Sequence, residues 1–347
     1  MNNRSHVSQS EVIRQLRLPM IVLVAFAHSY GAVGEGYSLL ASEWNTYESL
    51  KLLVSQTLVK VAMPVFFIMS GYLFFANVDR MDVATYQKKI LRRVKTLWMP
   101  YLIWNLLMAV KLKSFSWSMF WAYWKPAGLQ LDWFGREQLM TAPANMPLWF
   151  LRDLMVVSLL TPIIYILIRK MGLWLMAVLT VLYLSGVCAF IPGLSAYAVY
   201  FFTFGAFLSI RKMDLIASLK RVELSSYVLS ILLAISMLLT FHTFAFSSLM
   251  LCFRLTGAIA VFCLASRILA TTSRRLPSVA CDSSYFIYLA HYVFFFSFLD
   301  TAFFSFFGTS IPALSIHYLL SPIMKVAILV GVYVVYRKLI DIRLKLR

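Results

Sequence analysis

Arg17 and His28 stand eleven residues apart at the entrance to the first apolar run. In a helix that spacing is three turns plus roughly 20°, so both side chains share one face, with a rise of roughly 16 Å. Histidine is the side chain whose ordinary pKa suits proton transfer near neutral pH. His28 is therefore a candidate general base well inside the run, and Arg17 a candidate holder of negative charge at its edge. The bland alternative is a histidine satisfied within a core. A second place is Met63–Phe75, where Ser70 and Gly71, followed by Tyr72, interrupt bulky residues. Glycine permits close backbone approach, so this is a helix crossing or a ligand contact. A third is the basic stretch Lys88–Lys95, with Arg92, Arg93 and Lys95. It reads as a cytoplasmic anchor or as a site for phosphates, whose oxygens match an arginine fork. The last is a scatter of ionisable groups near or within apolar runs: Arg152 and Asp153, Arg254, His291 and Lys325. A charge placed there should face a polar cavity or a partner.

The elements that must position these groups are apolar. Of 347 residues, 61% are hydrophobic and 13% charged, with mean hydropathy +0.79. Soluble domains run near about 45–50% apolar and about 25% charged. Disorder and a disulfide-stapled secreted module are excluded, and an all-α polytopic transmembrane bundle is expected. Ten runs are long enough or nearly so: Leu18–Gly34, Leu52–Phe75, Leu97–Val110, Met146–Ile168, Gly172–Ile191, Ala196–Ile210, Leu224–Phe241, Phe244–Ser266, Tyr285–Phe307 and Ile316–Tyr336. The formal net charge is +18. Most of the 32 Lys and Arg fall in alternate segments between these runs, which places both termini in the cytoplasm and argues against nucleic acid as the partner. The division is a cytoplasmic segment 1–17, a membrane domain 18–336 and a basic tail 337–347. The polar Met1–Arg17 segment leads into a full span rather than a cleavage site. The loop Lys111–Asn145 is expected outside, its Trp117, Trp121, Trp124 and Trp133 forming an interfacial helix or a platform for sugar rings. Cys188, Cys252, Cys263 and Cys281 make no CxxC pair, and neither zinc nor redox chemistry is expected.

Four motifs in order carry a resemblance. Arg17-x10-His28, Phe66-Phe67-Ile68-Met69-Ser70-Gly71-Tyr72, Pro147-Leu148-Trp149-Phe150-Leu151-Arg152 and Tyr285-Phe286-Ile287-Tyr288-Leu289-Ala290-His291 resemble signatures of the acyltransferase family 3 membrane proteins, bacterial enzymes that acylate glycans and related acceptors. Where the family often has Arg-x-x-Arg, this chain has Arg92-x-x-Lys95, which keeps the charge but not the bidentate fork. The resemblance implies an O-acetyltransferase-like enzyme in the bacterial inner membrane, with acyl-CoA, most often acetyl-CoA, as donor substrate and no permanently bound cofactor. The acceptor would be a hydroxyl of a glycan or lipid-linked sugar. His28 would act as general base or as transient acyl carrier, and Arg17 would orient the donor. Ser70, Gly71, Tyr72, Arg92, Arg93, Lys95, Trp149, Arg152, Arg254 and His291 are the expected donor- and acceptor-binding residues. The competing class is a transporter or exporter of a polysaccharide precursor or small anionic solute. No inverted repeat supports it. Assembly into a homo-oligomer stays open.

Overall fold

Ser8 opens the first helix. Its Oγ accepts from the Glu11 amide at 3.2 Å, and Glu11 stands at the capping-box position. The computed structural model describes residues 7–29, 45–112, 129–131, 137–139, 143–186, 194–241, 243, 245–272, 274–294 and 297–345. Regular structure there is helical apart from one antiparallel ladder pairing Leu129–Leu131 with Glu137–Leu139. The helices are α1 (Gln9–His28), α2 (Thr46–Phe75), α3 (Val83–Arg93), α4 (Met99–Lys111), α5 (Trp149–Leu159), α6 (Thr161–Met171), α7 (Leu173–Leu184), α8 (Ala196–Ile210), α9 (Leu215–Lys220), α10 (Glu223–Leu239), α11 (Ala245–Thr272), α12 (Ser278–Ala290), α13 (Ser297–Phe307) and α14 (Ile311–Lys345). The chain divides into two compact units, one of residues 1–62 with 267–347, the other of residues 63–266.

In the first unit α1 packs against α12 and α14. Gln15 ties α1 to the chain entering α12, its Oε1 accepting from the Leu276 amide at 2.7 Å. Phe26, Tyr47, Val59, Leu314 and Tyr318 form an apolar core. At its centre Tyr318 donates to Ser55 Oγ across 2.6 Å, and Ser55 donates to the Phe26 carbonyl at 2.8 Å. Ser55 lies in a widened, π-helical stretch of α2, Leu52–Thr57, where Thr57 Oγ1 also donates back to the Leu52 carbonyl. Such a stretch leaves backbone groups for side chains to satisfy.

In the second unit α2 crosses α8 at two glycines. A Cβ built on Gly71 would overlap the Phe202 carbonyl oxygen and lie 2.9 Å from its carbon, and one on Gly205 would overlap the Ile68 carbonyl oxygen. Each glycine thus sits against the other helix's backbone, the small-residue contact that lets membrane helices approach closely. Aromatic rings fill the space beside the crossing, with Phe67 edge-on to Phe150 at 4.6 Å and to Tyr197 at 5.7 Å.

Three described helices are long and apolar enough to cross a membrane: Thr46–Phe75, Ala245–Thr272 and Ile311–Leu339. The expected fourth run is a pair, α5 and α6, bent by 62° at Leu160, where Pro162 begins the next helix and removes a backbone donor. The expected sixth run matches α8 residue for residue. Ser195 caps it by accepting from the Ala198 amide at 3.1 Å. The expected first run is displaced, since the helix begins at Gln9 and stops at His28, with the Ser29 amide bonded to the Ala25 and Phe26 carbonyls. The expected ninth run is broken at His291 into α12 and α13. Trp117, Trp121, Trp124 and Trp133 lie outside the described residues, and so does Cys188. The described backbone within that loop includes the short ladder.

Candidate active site

His28 and His291 meet in the first unit. Their ring centroids are 5.3 Å apart at an interplanar angle of 47°, and Tyr292 stands edge-on to His28 at 5.4 Å. Each histidine ends a helix. His28 is the last residue of α1, and His291 caps α12. The sequence places His28 deep inside a run, whereas the fold places it at a helix end. His291 is buried, 8% exposed. Its Nδ1 lies 2.8 Å from the Tyr288 carbonyl and 3.1 Å from that of Ile287. A carbonyl accepts only, so Nδ1 carries the hydrogen and the neutral ring leaves a lone pair on Nε2. That Nε2 is buried and has no hydrogen-bond partner among the described residues. Lys60 of α2 is within electrostatic reach of His28. Arg17 lies on the same helix as His28, half-buried, on the face set by the eleven-residue spacing. Among the described residues no carboxylate pairs with Arg17, whereas Glu11 takes Arg14 at 3.0 Å and Arg275 at 3.7 Å.

The remaining expected residues belong to the second unit. Gly71 is spent on the helix crossing. Ser70 beside it is half-buried, and the Tyr72 hydroxyl donates to the Met213 carbonyl at 3.4 Å. In the basic stretch Lys89 donates to the Phe74 carbonyl at 2.7 Å, and Arg93 lies over the Phe74 ring at 5.4 Å. Burial, then the charges of Arg93, Arg92 and Lys88, push the Lys89 pKa down. Arg92 and Lys95 are exposed, as is Lys88, which leaves these three the groups of this stretch best placed to meet a soluble anion. Arg152 and Asp153 are both buried, 6% and 3% exposed, and pair at 3.3 Å. Asp153 also accepts from Ser195 at 2.8 Å, which ties α5 to the N-terminus of α8. Arg254 finds an aromatic partner: its guanidinium lies 5.0 Å over the Tyr197 ring and beside the Tyr183 hydroxyl. Trp149 reaches the same Tyr197 ring at 6.3 Å. Trp149 and Arg254 thus share one aromatic wall, and Arg152 belongs to a separate ion pair.

The family model described as an acyltransferase domain, acyltransferase family 3, matches residues 12–336. The chain belongs to this family. Among curated proteins this acyltransferase-family chain is similar to the succinoglycan biosynthesis protein ExoH of Rhizobium meliloti (strain 1021), 25% identical over 166 residues. That alignment covers 46% of this chain and 43% of ExoH. No solved structure matches the chain. Family membership together with the apolar helices makes this a membrane protein carrying an acyltransferase domain.

Lys325, singled out in the sequence, belongs to a cluster of the acyltransferase domain whose other members were not. In the first unit Asp300 of α13 accepts from His317 Nε2 at 2.8 Å, Ser321 Oγ at 2.9 Å and Lys325 Nζ at 2.8 Å. All four residues are buried. His317, Ser321 and Lys325 recur every fourth residue of α14, and that polar stripe on an apolar helix was the available signal. Among the described residues no group of His, Cys, Asp and Glu has the arrangement of a metal site.

Proposed function

We propose that this protein is an integral, multi-pass enzyme of the bacterial inner membrane, with both termini cytoplasmic. It moves an acetyl or other short acyl group from cytosolic acyl-CoA to a hydroxyl of a glycan or lipid-linked sugar. The observation that carries the reading is the His28–His291 pair, two rings 5.3 Å apart at helix ends within a family of acyltransferases. The likeness to a protein named for succinoglycan biosynthesis supports an exported polysaccharide or its precursor as acceptor. His28 acts as general base toward the acceptor hydroxyl, or attacks the thioester first and carries the acyl group. Arg17, with no carboxylate partner among the described residues, orients the donor from the same helix face. The exposed Arg92 and Lys95 supply cationic contacts for the nucleotide phosphates, Lys95 as a point charge rather than a fork. Trp149 and Arg254, joined through Tyr197, offer a flat cationic wall to a sugar.

The test uses membranes containing the protein and radiolabelled acetyl-CoA. Label should reach the lipid-linked or polymeric carbohydrate fraction. His28→Ala should abolish the transfer, a loss of at least about 10²-fold, while the protein stays inserted and monodisperse in detergent. A His28→Ala protein transferring at the wild-type rate would falsify the mechanism, and label remaining on CoA with wild-type protein would favour a transporter.

A further inference from the structure

The acyl-transfer reading places its chemistry on His28, and the fold sets His291, the last residue of the fourth motif, beside it. His291 has its Nδ1 hydrogen committed to the Tyr288 and Ile287 carbonyls, which orients the ring and leaves the Nε2 lone pair bare. A buried nitrogen without a partner costs free energy, and such a group calls for a role. The His291 ring lies 5.3 Å from that of His28, centroid to centroid, and a general base acts on a hydroxyl held within about 2.6–3.2 Å, directly or through one water. Among the described residues, Tyr288 and Tyr292 on the α12 end and Lys60 on α2 are the other titratable groups recorded at the pair.

We infer that His291 is a second catalytic residue, the proton acceptor of the transfer step, and that His28 is the acyl carrier. The inference rests on the acyl-transfer reading above. A ring nitrogen of His28 attacks the thioester carbonyl, so a C–N bond forms and the C–S bond breaks. The departing thiolate takes the N–H proton of the acylated ring and leaves as the thiol. The acceptor oxygen then attacks the acyl carbon while its proton passes to Nε2 of His291. As the C–N bond breaks, His28 takes that proton back from His291. The sum is thioester plus alcohol to ester plus thiol, with both rings neutral again. The carbonyl ends of α1 and α12 lie beside the pair, and a helix C-terminus favours the positive charge carried during the exchange.

The experiment compares wild type, His28→Ala, His291→Gln and His291→Ala in membranes with radiolabelled acetyl-CoA, reading transfer to the carbohydrate fraction. Intact-protein mass spectrometry after a rapid denaturing quench reads acetyl held on the protein. Glutamine fills the histidine site and cannot take up a proton. In whichever His291 variant elutes as the wild-type monodisperse species, transfer should fall by about 10²-fold or more while an acetyl mass accumulates on the protein. His28→Ala should show neither transfer nor protein-bound acetyl. Transfer at the wild-type rate in a His291 variant, or loss of transfer without protein-bound acetyl, overturns the second-histidine role. Wild-type transfer that persists in His28→Ala overturns the underlying reading instead.

Discussion

Replacing Gly71 with alanine asks for one methyl group where α2 and α8 touch backbone to backbone. The new Cβ would lie 2.9 Å from the Phe202 carbonyl carbon and 3.0 Å from the Ala206 amide nitrogen. Carbon contacts settle near about 3.5–4.0 Å, so the helices must part by on the order of 1 Å. Neither neighbour is a flexible side chain that could swing aside. Overpacking of this kind costs about 1–3 kcal/mol, and a rigid backbone contact belongs at the upper end. Alanine returns about 1 kcal/mol of helix propensity. The net loss is about 2 kcal/mol, roughly a 30-fold shift toward the unfolded state. Gly331 in α14 is the control, because a Cβ there meets nothing within 4 Å. Gly331→Ala should be neutral or stabilising by up to about 1 kcal/mol. Gly205→Ala should resemble Gly71→Ala, and the double variant should cost less than the sum, since one separation relieves both contacts. Thermal or SDS-induced unfolding in detergent measures all four. A Gly71→Ala protein within about 0.5 kcal/mol of wild type would refute the close approach.

Two further outcomes follow from the charged groups. Asp300→Ala should destabilise the protein by about 3–5 kcal/mol in the same unfolding assay, because Lys325 keeps its buried ammonium and loses the carboxylate bonded to it at 2.8 Å. Adding Lys325→Met should restore part of that loss; a double variant as unstable as Asp300→Ala would show that the ion pair is not its source. At the exposed Asp79, a hydrogen bond from Lys212 at 2.7 Å and its charge hold the carboxyl pKa below the ordinary value. The folded state therefore binds that proton less readily than the unfolded one. The small stabilisation is present at neutral pH and fades as pH falls below about 4. Asp79→Asn should flatten the unfolding midpoint across that range, as should high salt, and an unchanged acid slope in Asp79→Asn would contradict the pairing.

Local signals read well wherever one side chain satisfies a nearby backbone group. Ser195 accepting from the Ala198 amide explains why α8 and its expected run agree at the first residue. Ser8 and Glu11 could likewise have revealed that α1 begins a turn and more before its apolar stretch. Hydropathy averaged over a run is blind to breaks within it. The apolar residues on either side of Leu160 and of His291 are as hydrophobic as a continuous span, yet the chain bends by 62° at the first and turns at the second. The bend has a visible cause in Pro162, but the turn after Ala290 has none in residue type alone.

Composition, charge and motif order established a helical membrane protein of the acyltransferase family, because apolar content and short-range patterns are properties of the chain itself. That Arg17 and His28 share one helix was equally legible, since a single local segment sets both. Tertiary structure alone decided that His28 ends its helix against His291, that Gly71 is spent on a crossing, and that Lys325 answers to Asp300. Each of those facts joins residues on different helices. The free energy of such a contact depends on a distance that no single segment contains.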